Sequence, residues 1–447
     1  MIKKISKIIP LIFTFLSLIL IFYIFYRTEI VFSGNKFSYY IIYYLISFLF
    51  LLFSVSLHFL KEQIRVKIIL VFFSFLFSVY CVEAFLIFKI KIYEKNQKNL
   101  VKIDKAPKNT KGRTNVSLYE ELKKNKIKTN LYVPPVKLIN YNNSILPLSS
   151  TSNVRNIGCN ENGYFSIYHS DKYGFNNPDN EWNKNNLEFL TVGDSFAHGD
   201  CVNEIDTLSG QLRTFINSDS AVISFGHSGN GPLFEYATLK EYFPIEKKVK
   251  KVIWLYYEGN DLINLYNEKK NNILLNYLKN PNFSQNLKTK QYEINLMIND
   301  YFLEKYKLYG QKNETQIKTK KITLINFFKF QEFRTNIFDK LFGSIDPDFS
   351  KILFLANQFV KKNNSKLYFV YIPEYFRYKN EFHMQNSSRK YVKIIKIVDS
   401  LQIPIIDLKK SISFKKSPLI YFSKNGVHFN ERGYRFAADE IFKQTKN

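Results

Sequence analysis

Four short stretches carry the residue types of nucleophilic acyl transfer, and they lie far apart in the chain. "GDS" (Gly193 to Ser195) places a hydroxyl directly after an apolar run. "SFGHSGNGP" (Ser224 to Pro232) is rich in glycine, which lets backbone N–H groups come close to a ligand. "YEGNDL" (Tyr257 to Leu262) supplies an amide donor, Asn260, and "NGVHFNERGY" (Asn425 to Tyr434) supplies an imidazole, His428. In such chemistry a hydroxyl attacks, an imidazole takes its proton, and two or three N–H donors hold the oxyanion. Each residue also has a plainer reading. Ser195 suits a helix N-cap, Gly229 and Asn260 suit turns or caps, and His428 suits a surface ring. Together, and in this order, the four outweigh those readings.

The elements that must position them are legible from about residue 160 onward. Apolar runs at 187–192, 221–225, 252–257, 366–372 and 403–407 read as strands buried on both faces. Helix-like segments separate them: "GPLFEYATLKEYF", "SKILFLANQFVKK", "KYVKIIKIVDSL" and, at the end, "GYRFAADEIFKQ". Strand and helix in alternation imply a parallel sheet in a doubly wound α/β domain. Ligands of such sheets bind beyond the carboxyl ends of the strands, where Ser195 and Asn260 fall.

With these blocks in place, the chain resembles the SGNH (GDSL-type) hydrolase superfamily over roughly 160–447. The resemblance implies a flavodoxin-like sheet, with Ser195 as nucleophile and His428 as base. It implies an oxyanion hole made by the N–H groups of Ser195 and Gly229 and the side-chain amide of Asn260. The preceding "SDKYGFNNPDNEW" is similar to a lead-in of some membrane-linked members. Two positions depart from the pattern. The first block reads GDSF, and the family's usual Asp three residues before the histidine is Asn425 here. An amide can orient imidazole but cannot stabilise imidazolium by charge. Either the site is a Ser–His dyad, or activity is low, or another carboxylate substitutes, with Asp194 and Glu258 the nearest candidates. His198 and His227 gain no role from the resemblance and read as pocket lining or structure.

The cysteines show neither zinc spacing nor a CxxC pair, and "GHSGNG" lacks the dinucleotide spacing. No metal and no cofactor is expected. Cys159 and Cys201 form a disulfide if their half of the chain lies outside the cytoplasm, or remain two buried thiols; sequence leaves both open.

The first 90 residues are different material. Ile8–Tyr26, Tyr39–Leu60 and Ile68–Phe88 are each about as long as the ~20 residues needed to cross a bilayer. The first follows Lys3, Lys4 and Lys7, but its apolar core is too long for a cleaved signal and no small-residue cleavage site follows. It reads as a retained anchor. Glu83, near the end of the third, reads more simply as reaching the interface than as an intramembrane site. Charges in the short loops favour an inside N-terminus and an outer C-terminal half. The expected organisation is a three-span region at 1–90, a linker at 91–160, and an SGNH-like domain at 161–447. That domain carries an insertion at about 262–346, read as a lid, a cap or a surface elaboration.

The net charge of +26 raises the question of nucleic acid. The lysines are spread along the chain with no nucleic-acid motif, and residues with A/T-rich codons are abundant throughout, so no nucleic-acid partner is expected. The sequence points to an integral protein of the cell (inner) membrane with an extracytoplasmic esterase or O-acyltransferase domain. Its expected partners are an acylated cell-surface glycan or other ester, the lipid bilayer and envelope-biosynthesis proteins. The alternative is an inactive SGNH-fold glycan-binding or envelope-assembly protein, which Asn425 favours.

Overall fold

The computed structural model describes residues 2–31, 37–103, 114–141, 144–309, 330, 345–379, 381–413, 417–424 and 426–446. The chain forms two compact units, one holding Met1–Asn96 and the other built from Gln97–Glu314 and Ile345–Asn447.

The first unit contains helices α1 (Ile2–Phe25), α2 (Phe37–Phe59) and α3, which starts at Glu62 and runs to Ile103. Ser6–Val31, Tyr40–Phe59 and Glu62–Phe85 are long and apolar enough to cross a membrane. Their bounds differ by a few residues from the apolar runs of the sequence. Phe13, Leu57 and Ile69 pack between the helices. Most other large side chains face outward, with Phe22 72% and Phe59 85% exposed. So broad an apolar surface is stable against lipid, not against water.

The second unit is built on a five-stranded parallel sheet. Its strands are β4 (Asn186–Val192), β5 (Ser220–Ser224), β6 (Lys248–Tyr257), β7 (Lys366–Ile372) and β8 (Ile405–Asp407). They lie in the order β5-β4-β6-β7-β8, all parallel. Counted within the sheet this is 2-1-3-4-5, the flavodoxin-like order. The strands are apolar throughout because both faces are covered. Along β6, Val252, Trp254 and Tyr256 enter one core, while Ile253, Leu255 and Tyr257 enter the other. Helices Pro232–Tyr242 and Pro347–Lys362 cover the first face; Leu208–Arg213 and Glu431–Gln444 cover the second. The order reverses between β4 and β6, so the switch-point crevice opens between the ends that lead to Ser195 and Asn260.

Residues 115–160, expected as linker, instead carry a helix (Asn115–Lys124) and strands of a second sheet. In that sheet β1 (Asn130–Leu131) runs parallel to β2 (Arg155–Ile157), which pairs antiparallel with β3 (Ile167–His169). Val133, Leu138, Ile145 and Leu148 from this stretch sit in the main core. The β2–β3 hairpin closes through Gly158 N–H to Ser166 O at 2.8 Å and Ser166 N–H to Cys159 O at 3.0 Å. Its tip, residues 160–165, reaches the site described below. The first half of the insertion is also core material: Leu265, Leu274, Tyr277, Leu287 and Ile294 are fully buried. Residues 310–329 and 331–344 of the insertion lie outside the described residues.

The "SDKYGFNNPDNEW" stretch covers the open edge of the sheet. An exposed edge strand invites pairing with other chains, and here side chains satisfy the backbone of β5. Asn177 accepts from Ser224 N–H at 2.8 Å and donates to Ser224 O at 2.9 Å. Glu181 accepts from Val222 N–H at 2.8 Å. The stretch is itself organised around the buried Asp171. That carboxylate accepts from Tyr173 N–H at 2.9 Å, Phe175 N–H at 3.0 Å, and Asn177 Nδ2 and Trp182 Nε1, both at 2.8 Å. Asp171→Ala orphans these donors and is expected to cost roughly 3 kcal/mol. Thermal unfolding of the variant beside the parent checks this; equal midpoints would remove Asp171 from the list of stabilising residues.

Candidate active site

Ser195 begins a short helix, Ser195–His198, directly beyond β4. Asp194 caps it, accepting from Phe196 N–H at 2.9 Å. Gly193 is required by close packing: a Cβ there would lie 2.9 Å from Leu255 Cβ and 3.0 Å from Ala197 Cβ. The Ser195 hydroxyl, 5% exposed as a residue, is 3.0 Å from His428 Nε2. A second acceptor, Asp194 Oδ2, lies farther from it at 3.3 Å. The two residues stand 233 positions apart in the chain.

The other ring nitrogen reveals a residue that the sequence did not disclose. His428 Nδ1 is 2.9 Å from Glu161 Oε1, at the tip of the β2–β3 hairpin. Glu161 Oε2 accepts from the Ser423 hydroxyl at 2.6 Å and from the His428 backbone N–H at 3.1 Å. Gly426 passes so close that a Cβ there would overlap the Glu161 carboxyl group. Asn425 lies outside the described residues. Neither carboxylate considered from the sequence takes Nδ1. Asp194 is the helix cap, and Glu258 is paired with Arg377 and accepts from Glu374 N–H at 3.0 Å.

A disulfide links Cys159 to Cys201, with Cα atoms 4.7 Å apart. It ties the base of the hairpin tip to the loop that follows the serine. Cys201 takes a left-handed φ of 66°, a conformation L-residues rarely adopt. Asn162 Nδ2 donates to Cys201 O at 3.0 Å and Tyr164 donates to Glu431, so the tip is held at several points. Ligand atoms of Glu161, Cys201 and His428 lie within 4.8 Å of one another. The sulfur is bonded to Cys159 and Nδ1 is engaged by Glu161, so the trio is an acid–imidazole pair beside a disulfide, not a thiolate metal site.

Charge around the ring is strongly negative. Burial favours a neutral His428, but hydrogen bonding to Glu161 and the charges of Asp200, Glu161 and Asp194 outweigh it and raise the ring to about 9. Burial raises the Glu161 carboxyl, and its bonds to His428 and Ser423 more than reverse that, leaving it below its usual value. Asp194 is pushed up to about 6 by burial, against the pull of the Phe196 N–H and His428. Asp200 carries a carboxylate 3.9 Å from His428 Nε2.

The remaining sequence candidates sit on the neighbouring loops. Gly229 follows β5 in a turn with φ 80°. One residue before it, the Ser228 hydroxyl lies 2.8 and 2.7 Å from the two oxygens of Asp200. Asn260 precedes helix Asp261–Glu268 beyond β6, with its side-chain amide against Asp194. His198 and His227 are buried and kept neutral by that burial, stacked with their ring centroids 5.6 Å apart. The four blocks by which the sequence resembles the SGNH hydrolases thus all lie along one end of the sheet, with Ser195 and His428 in contact.

No family model and no curated protein matches the chain. Solved structures similar to it include a lipase/acylhydrolase from Enterococcus faecalis, 13% identical, with a TM-score of 0.33 over 58% of this chain and 94% of that one. Another is a putative lipolytic protein of the G-D-S-L family from Desulfitobacterium hafniense DCB-2, 12% identical, with a TM-score of 0.32 over 58% and 99%. A third is an acetyl xylan esterase, 14% identical, with a TM-score of 0.30 over 58% and 100%. Similarity this distant carries no functional weight, which rests on the site itself.

Proposed function

We propose that the chain is a membrane-anchored serine esterase or O-acyltransferase that works through an acyl-serine. The observation that carries this reading is the continuous relay from Glu161 through His428 to Ser195, at 2.9 and 3.0 Å. Ser195 Oγ attacks the acyl carbon while its proton passes to His428 Nε2. Glu161 on Nδ1 holds the tautomer with a free Nε2 lone pair and stabilises the imidazolium that forms. The N–H groups of Ser195 and Gly229 and the amide of Asn260 receive the oxyanion. The alcohol departs with the proton from Nε2, leaving the acyl-serine. Water or a second alcohol then reverses these steps, giving hydrolysis or transfer. With a carboxylate on the ring, the departure at Asn425 no longer favours the inactive glycan-binding reading.

Two observations support an extracytoplasmic site on the cell membrane: the disulfide, which persists in oxidising compartments, and the basic residues of the short loops. A tethered outer site favours an acylated cell-surface glycan as substrate. The test is covalent. A fluorophosphonate incubated with the full chain is expected to add one phosphonyl group to the peptide holding Ser195, read by mass spectrometry. An unmodified Ser195 peptide under conditions that label a known serine esterase ends the reading.

A further inference from the structure

Tyr132 follows β1, in the stretch "NLYVPPVKL" to which neither the four blocks nor the resemblance gives a role. Its phenol oxygen is 3.0 Å from the backbone nitrogen of Ser228 and 3.0 Å from His227 Nδ1. The Ser228 N–H can only donate, so the phenol oxygen accepts from it. The same oxygen lies within hydrogen-bond reach of Nδ1 of the buried His227 ring, a second partner. Burial and the charge of Asp200 hold the phenol protonated. The ring cannot swing away. It stacks on His198 at 4.5 Å and 8°, and lies beside His227 at 6.0 Å.

Ser228 is therefore gripped twice, by Tyr132 at its N–H and by Asp200 at its hydroxyl. With both fixed, the peptide joining Ser228 to Gly229 retains little freedom beyond one torsion. Val136, from the same stretch as Tyr132, lies 3.2 Å from where a Gly229 Cβ would stand and limits that torsion. We propose that Tyr132 is a positioning residue: it sets the Ser228 peptide and through it aims the Gly229 N–H at the developing oxyanion. This rests on the acyl-serine reading above. The grip comes from outside the doubly wound sheet, from the residue directly after the strand that pairs with the arm of the Glu161 hairpin.

The test uses the full chain and the fluorophosphonate. In that reaction Ser195 Oγ bonds to phosphorus, fluoride leaves, the serine proton goes to His428, and the phosphoryl oxygen occupies the oxyanion position. Tyr132→Phe keeps the stacked ring and loses the hydroxyl. The maximal labelling rate is expected to fall about 10- to 100-fold, less than for outright loss of a donor. The half-saturating concentration stays within about twofold and the pH midpoint of labelling is unmoved. His227→Phe removes only the phenol's ring-nitrogen partner, so it is expected to reduce the maximal rate by a smaller factor, and it serves if Tyr132→Phe does not fold. A maximal rate within twofold of the parent overturns the proposal. So does a moved pH midpoint, which would make Tyr132 a support of the Glu161 hairpin instead. Ser195→Ala sets the background. If the parent labels no faster than that variant, the acyl-serine reading fails. If the parent labels normally and only the Tyr132→Phe prediction fails, the reading stands without the grip.

Discussion

Glu161→Gln lowers the turnover of p-nitrophenyl acetate by about 10³- to 10⁴-fold at pH values above 9. The glutamine amide can present an N–H to His428 Nδ1. The ring then keeps its hydrogen on Nε2 and cannot accept the Ser195 proton. The charge that would stabilise imidazolium is lost as well. Loss of this charge also changes the pH dependence, and the sign is fixed by the surroundings of the ring. The carboxylates raise His428 to about 9 from 6.5. A general base works only when neutral, so parent activity should climb with pH and level off above about 9. At pH 7 only about 1% of the parent ring is neutral. Removing the Glu161 hydrogen bond and charge lowers the midpoint and raises the neutral fraction at pH 7, with Asp200 and Asp194 still holding the ring up. The net loss at pH 7 is therefore smaller than the loss above pH 9. A pH–rate profile of parent and variant tests both parts. An equal loss at both pH values with an unmoved midpoint would show that Glu161 is not the partner of the working base.

The second large effect is on stability. Cys159→Ser combined with Cys201→Ser releases a closure spanning 42 residues. Chain-entropy arithmetic puts the loss at about 4 kcal/mol, or a midpoint lower by roughly 10 °C. Activity at low temperature should suffer far less than in Glu161→Gln. The tip keeps its bonds from Asn162 to Cys201 O, from Ser423 to Glu161 and from Tyr164 to Glu431. Calorimetry of the parent with and without dithiothreitol is the simplest check. An unchanged midpoint after verified reduction would mean the bridge adds nothing beyond those hydrogen bonds.

The doubly wound sheet was legible because its strands are buried on both faces and so read as unbroken apolar runs. The apolar helices were legible for a similar reason, since composition alone sets them apart. Ser195, Gly229 and Asn260 were legible because each follows such a run, and His428 because it precedes a strongly amphipathic final helix. Glu161 was hidden for opposite reasons. Its hairpin strands are only three residues each, too short for any periodicity, and Lys- and Asn-rich sequence precedes them. One signal was present: Cys159 lies two residues before Glu161, and Cys201 six after Ser195. Had that pair been taken as a disulfide, a carboxylate would have been placed beside the nucleophile's loop. The Asp171 stretch is legible by resemblance, but its covering of β5 is not, because edge position depends on strand order.

The separation between the acid and its ring sets a schedule for the newborn protein. Glu161 emerges 267 residues before His428, while Cys201 follows Cys159 by only 42. At about 5–20 residues per second, the carboxylate waits roughly 10–50 s for the ring. The sulfur bridge can close within that interval and draw the hairpin to the serine's loop ahead of time. A growing chain thus carries a nucleophile with no proton acceptor. On the acyl-serine reading, the proton relay is complete only once the segment holding His428 has docked, so a chain still short of it has a hydroxyl without its base.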